Sequence, residues 1–210
     1  MDEHITRLVD VMDTIKHDEV TILTGRNAGG KSLIRKQLVF RIAKALDKEP
    51  KNVFIPSASQ ELRTKSQPSM GALSSIGHDL EWLATSDSTV HSLEQVFKYH
   101  TEKADYVIID EPEIGIGEEL QLGIADYLNE EIAKLKAMGK GCLIICHSRL
   151  IAKNVVHDTF INLEGMTEEE WLNRVPQKIS VEDFKAFATG LFSAIGDRER
   201  ENKEKQKEQN

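Results

Sequence analysis

The sequence predicts an α/β fold in which a mostly parallel sheet is covered by helices, and three observations lead there. Five short runs of branched and aromatic residues, at 20–24, 53–55, 106–109, 143–145 and 159–163, are separated by stretches with helical spacing. A glycine-rich octapeptide, Gly25-Arg26-Asn27-Ala28-Gly29-Gly30-Lys31-Ser32, joins the first run to a long helical pattern. Polar and charged residues follow three of the runs, at the carboxyl ends where open parallel sheets bind ligands.

Taken in order, Ile5, Leu8, Val9, Met12 and Ile15 have helical spacing and favour a short amphipathic helix, although a pair of short strands fits almost as well. Val20 to Thr24 reads as a buried strand, and Leu33 to Leu46 as a helix entered through the octapeptide. The second strand is expected at Val53-Phe54-Ile55. A helical insert is expected over about 58–104: a polar stretch from Ser57 to Gly77, then helices near Asp79 to Ala84 and Thr89 to Lys103. In the latter, Val90, Leu93, Val96 and Phe97 share a face and Ser88 is placed to cap the helix. Tyr106 to Ile109, Leu143 to Ile145 and Thr159 to Leu163 complete the sheet.

Thr167 with Glu170, and Ser180 with Asp183, mark the starts of two C-terminal helices spanning about 167–195. On the second, Val181, Phe184, Ala188, Leu191, Phe192 and Ile195 form an apolar stripe, read as packing on the domain, with a partner groove as the alternative. This organisation gives one domain over 1–196 and a charged tail over 197–210.

With 210 residues, 40% hydrophobic and 30% charged, the chain has the balance of a soluble globular protein. It has no apolar run near the roughly 20 residues of a membrane span. The start, Met1-Asp2-Glu3-His4, lacks the features of a secretory signal, so a cytoplasmic location without membrane insertion is expected. Cys142 and Cys146 share one strand, about 13 Å apart, too far for a disulfide and best read as small core residues. A net charge of −8 argues against a surface that coats nucleic acid, and the local basic group Arg35, Lys36, Arg41 and Lys44 reads first as a solvated helix face.

The octapeptide fits the phosphate-binding pattern G-x-x-x-x-G-K-S. Backbone N–H groups from Gly25 to Gly30 can curl around phosphates, Lys31 can reach the β- and γ-phosphates, and the Ser32 hydroxyl can hold Mg²⁺. Tyr106-Val107-Ile108-Ile109-Asp110-Glu111-Pro112 is the second motif, a strand ending in adjacent carboxylates whose side chains point apart. Asp110 is assigned to the Mg²⁺ shell and Glu111 to orienting or deprotonating the attacking water. The second carboxylate tilts the choice toward hydrolysis and away from phosphoryl transfer to another acceptor. His147, just past the next strand, is placed to meet a γ-phosphate or the water. Gln60 could reach Mg²⁺ or water with a neutral amide, with an ordinary polar loop residue as the alternative.

These motifs together, Gly-x-Asn-x-Gly-Gly-Lys-Ser, a loop Gln, Ile-Ile-Asp-Glu-Pro and a strand-end His, resemble the ATP-binding-cassette class of ATPases over roughly Val20 to Gly165. Asp110 to Gln121 looks most like members that are not transporters, including the recombination and overcoming-lysogenisation types. The resemblance implies ATP and Mg²⁺ as ligands and an ATP-dependent homodimer. It implies phosphate binding at Gly25 through Ser32, metal and water roles for Gln60, Asp110 and Glu111, and γ-phosphate sensing by His147. The family's signature falls at Thr85-Ser86-Asp87-Ser88-Thr89, where the serines fit and the glycines are missing. Ser86 or Ser88 would offer a hydroxyl to the partner's ATP, while Asp87 would repel it.

The expected activity is an ATPase whose dimer closure drives or gates a process on DNA or a partner protein. A slowly hydrolysing, nucleotide-gated interaction module is the alternative, followed by the ATPase subunit of a transporter.

Overall fold

The computed structural model describes residues 11–25, 31–58, 85–175 and 180, with the backbone alone at 31–33, 36 and 85–88. The chain divides into two compact units, Met1–Asn173 and Arg174–Asn210, and every element below belongs to the first. The strands are β1 (Val20–Thr24), β2 (Ser57–Ala58), β3 (Val107–Asp110), β4 (Cys142–Ile145) and β5 (Thr159–Asn162). The helices are α1 (Lys31–Ala45), α2 (Thr85–Tyr99), α3 (Glu118–Ala137), α4 (Arg149–Asn154) and α5 (Glu168–Asn173).

All strand pairs are parallel, in the order β2-β3-β4-β1-β5. The central strands are buried on both faces, so their sequences are continuous apolar runs without alternation. Alternate residues serve opposite cores. Ile22, Ile109 and Ile144 meet Leu93, Val96 and Phe97 of α2 and Leu128 and Ile132 of α3 on one face. Leu23, Ile108, Leu143 and Ile145 meet Ile34, Leu38 and Ile42 of α1 on the other. Each such side chain contributes about 1.5–3 kcal/mol on burial. Residues 11–14 are helical and Met12 and Ile15 join the second core, while Ile5, Leu8 and Val9 lie outside the described residues.

β2 lies four residues beyond the expected Val53-Phe54-Ile55. The expected residues do run beside β3, with the Phe54 carbonyl accepting from the Asp105 N–H at 2.8 Å and the Pro56 carbonyl from the Ile108 N–H at 3.0 Å. Pro56 has no N–H to return, and the Phe54 N–H is taken by the Asp105 carboxylate at 2.9 Å, so regular pairing starts only at Ser57.

α2 also departs from expectation. It begins at Thr85, which places Ser88 inside the helix and not at its cap, and it ends at Tyr99 because the His100 carbonyl accepts from the Lys103 and Ala104 N–H groups and turns the chain toward β3. Its buried line runs through Thr89, Ser92, Leu93, Val96 and Phe97, whereas Val90 is exposed. The start of the insert, 59–84, including the expected helix at Asp79 to Ala84, lies outside the described residues.

The helix start at Thr167 takes the form expected of it. The Thr167 Oγ1 accepts from the Glu170 N–H at 3.2 Å, and the Glu170 carboxylate accepts from the Thr167 N–H at 2.7 Å. That backbone bond holds the Glu170 carboxyl below its ordinary pKa. The second C-terminal helix and the tail lie outside the described residues, apart from Ser180. Both cysteines are free and buried, and burial pushes the Cys142 thiol up to about 12, as befits inert core positions.

Two contacts hold the starts of β4 and β5 against the chain at the start of β1. Gly141, just before β4, passes so close to Glu19 that a Cβ there would lie 2.2 Å from the Glu19 carbonyl oxygen. The Gly141 N–H donates to the His17 carbonyl at 2.8 Å and the Cys142 N–H to that of Glu19 at 3.2 Å. At the start of β5, the Asp158 carboxylate accepts from the Val20 N–H at 2.8 Å and from the Lys136 ammonium, which keeps its pKa low.

Candidate functional site

Parallel strands end on one side of a sheet, so residues that follow them gather at that edge. Gly25 follows β1, Asp110 ends β3 with Glu111 next to it, and His147 stands two residues past β4. β4 lies between β1 and β3, so the Gly25 exit and the carboxylate exit are two strand spacings apart, about 10 Å. His147 belongs to the strand between them.

The chain leaves β1 through Gly25 at φ +147°, and a Cβ there would sit 2.9 Å from the Leu163 Cβ. Both the dihedral and the contact call for glycine at this exit. Gly25→Ala is expected to lower stability by about 1–3 kcal/mol, seen as a lower urea midpoint at unchanged slope. A midpoint equal to wild type would show that Leu163 yields freely. Arg26, Asn27, Ala28, Gly29 and Gly30 lie outside the described residues; Lys31 and Ser32 open α1, with their side chains likewise outside the description.

The two carboxylates take different partners, as expected, although Glu111 lies in a left-handed turn just past the strand and not on extended chain. Asp110 Oδ2 accepts from Arg35 Nη1 at 3.0 Å, toward α1, and each side chain is 24% exposed. Glu111 instead brings its Oε1 within 3.3 Å of His147 Nε2. Glu111 has φ +54°, a left-handed conformation that costs a side-chain-bearing residue about 1–2 kcal/mol, and its N–H donates to the Ile145 carbonyl at 2.7 Å. That bond fastens the turn after β3 to the end of β4.

The loop from Glu111 to Gly117 is tied to its surroundings at several further points. Glu113 accepts from the His147 N–H at 2.5 Å, and the Ile114 carbonyl accepts from the buried Thr89 hydroxyl of α2 at 2.7 Å. Ser148 donates to Gln121 of α3 at 2.5 Å while capping α4 through the Ile151 N–H at 3.1 Å. His147 is therefore held at both backbone and ring by the loop that carries Glu111. The sequence alone does not single out Glu113 or Arg35 as site residues, and it marks Thr89 only as the last residue of the segment Thr85 to Thr89. Arg35 was grouped with Lys36, Arg41 and Lys44 as a solvated face, but Arg35 pairs with Asp110 and Arg41 with Asp13.

Gln60 lies outside the described residues, and so do the side chains of Ser86 and Ser88. The backbone places Ser86 in the first turn of α2 and Ser88 three residues past its start. Among the described residues no group of three acidic, His or Cys side chains forms a metal site by itself. A hard cation such as Mg²⁺ that keeps waters and phosphate ligands needs only one or two carboxylates, and Asp110 is one hard oxygen donor of that kind at this edge. No described helix is long and apolar enough to cross a membrane.

No protein-family model matches the chain, and no curated protein matches it. Among solved structures it is similar to a dimeric ATP-binding cassette in a post-hydrolysis state bound to ADP and Pi, at 10% identity and TM-score 0.47, covering 71% of this chain and 82% of that one. It is also similar to the Pif1 helicase from Candida albicans, at 16% identity and TM-score 0.40, covering 78% of this chain but 39% of the helicase. At these levels the chemistry of the site rests on its own residues.

Proposed function

We propose that this chain binds ATP with Mg²⁺ and hydrolyses it, as an ATPase of the cassette class. The observation that most supports this is the meeting, at one sheet edge, of the Gly25 exit with Asp110, Glu111 and His147. Backbone N–H groups from Gly25 to Gly30 and the Lys31 ammonium hold the phosphates at the start of α1. Ser32 and Asp110, with Gln60 as a further oxygen donor, hold the metal, which when bound neutralises charge on the phosphates. Glu111 accepts a proton from the attacking water or orients it, and His147 donates to the γ-phosphate. The 3.3 Å approach of Glu111 to His147 supports their acting on the same group.

Two copies are proposed to close around two nucleotides, each sealed by the other's Thr85 to Thr89, with Ser86 and Ser88 supplying hydroxyls. Closure would then drive or gate a process on DNA or a partner protein, since ATP favours the closed state alone. The missing glycines of that segment favour a second reading, an interaction module that turns over slowly. Phosphate release with Mg-ATP, measured beside solution mass with and without nucleotide, tests both. Steady turnover together with an ATP-dependent dimer is expected. A dimer without turnover would mark the slow module, and neither dimer nor turnover would remove the cassette reading.

A further inference from the structure

The carboxylate assigned to the metal already faces a cation of the protein's own. Arg35 lies one helical turn past Lys31 on α1, so positions 31 and 35 share a helix face. Its Nη1 meets Asp110 Oδ2 at 3.0 Å although the two residues are 75 apart in sequence. Both side chains are about three-quarters buried, where water screens the pair less than on an open surface. The guanidinium cannot lose its proton, so it presents a full positive charge at any pH the protein survives.

Resting on the ATP and Mg²⁺ reading above, we propose that Arg35 is a built-in competitor for the divalent cation at Asp110. It holds the carboxylate in place and raises the Mg²⁺ concentration at which nucleotide is taken up. A cation arriving at Asp110 meets a charge already compensated by Arg35, so part of its attraction is cancelled. The size follows from a related equilibrium. A cationic neighbour at this range changes a carboxylate's affinity for a proton by about one to three powers of ten. Partial exposure at this edge places the effect on Mg²⁺ at the lower end, about tenfold. Arg35 is thus a positioning and regulating residue that works through Asp110.

The test is the Mg²⁺ dependence of binding of a fluorescent ATP analogue, read at equilibrium without turnover. Arg35→Gln is expected to reach half-saturation at about tenfold lower Mg²⁺ than wild type. In an Asp110→Asn background the same substitution is expected to change the half-point by less than about twofold, because the carboxylate it competes for is gone. Arg35→Met, which keeps the aliphatic stem, gives the same comparison where the glutamine variant does not fold. An unchanged or higher half-point in a folded Arg35 variant, or an equal shift in the Asp110→Asn background, would overturn the proposal while leaving the ATP reading intact. Failure of the wild-type protein to bind the analogue at any Mg²⁺ concentration would overturn both.

Discussion

Glu111→Gln is expected to retain ATP and lose turnover by about 10²–10³-fold, with an ATP-dependent dimer accumulating in place of a transient one. The amide matches the carboxylate in shape, so the strained turn at φ +54° and the N–H bond to the Ile145 carbonyl should survive. What changes is charge and basicity. A glutamine cannot accept the water's proton, and it removes one negative charge from the surroundings of the γ-phosphate, which favours the bound state. Steady-state phosphate release and solution mass with Mg-ATP are the two readouts. Turnover within about threefold of wild type would remove Glu111 from the chemistry, because general-base catalysis alone is worth roughly 10²–10⁴-fold.

Lys31→Ala acts at the other end of the site. It is expected to weaken nucleotide binding itself by about 10–150-fold, the equivalent of losing one hydrogen bond to a charged group at roughly 1.5–3 kcal/mol. Position 31 is the first residue of α1, and alanine is the best helix former, so the fold should be unaffected. Equilibrium titration with a fluorescent nucleotide separates this outcome from that of Glu111→Gln: one variant loses binding, the other loses turnover. Wild-type affinity in Lys31→Ala would mean that residues 25–32 do not hold the phosphates.

The sheet was legible because parallel strands buried on both faces leave contiguous apolar runs, and four of the five strands fall within one or two residues of expectation. β2 was misplaced because Pro56 and Phe54 look apolar and extended yet cannot complete a two-way ladder, which depends on which N–H groups remain to donate. The start of α2 was hidden for a different reason. Thr85 to Ser88 carry no apolar period, and the helix packs there through Thr89, whose hydroxyl goes to a loop carbonyl 25 residues away. The placing of Gly25, Asp110, Glu111 and His147 at one edge was legible because each stands at a recognisable strand's end or within two residues of it, and parallel topology gathers those ends. Arg35 and Glu113 belong to that edge through contacts made across elements, and nothing in the local pattern of α1 or of the loop after β3 marks them. An arginine one helical turn after Lys31 is the one available signal, and in the sequence it reads as part of a general basic face.

Gly141 stands at the opposite end of the sheet from the site, about 20 Å from His147 along the strand. A Cβ at Gly141 would run into the Glu19 backbone, so any side chain there would have to shift the start of β4 against the residues leading into β1. One residue of slippage would carry His147 about 3.3 Å and turn every side chain of β4 to the other face. The reach of the imidazole toward Glu111 therefore depends on how the far rim of β4 is seated, as the position of one end of a ruler depends on where the other is laid. Substitutions there would be felt as misalignment between His147 and Glu111 without touching either residue.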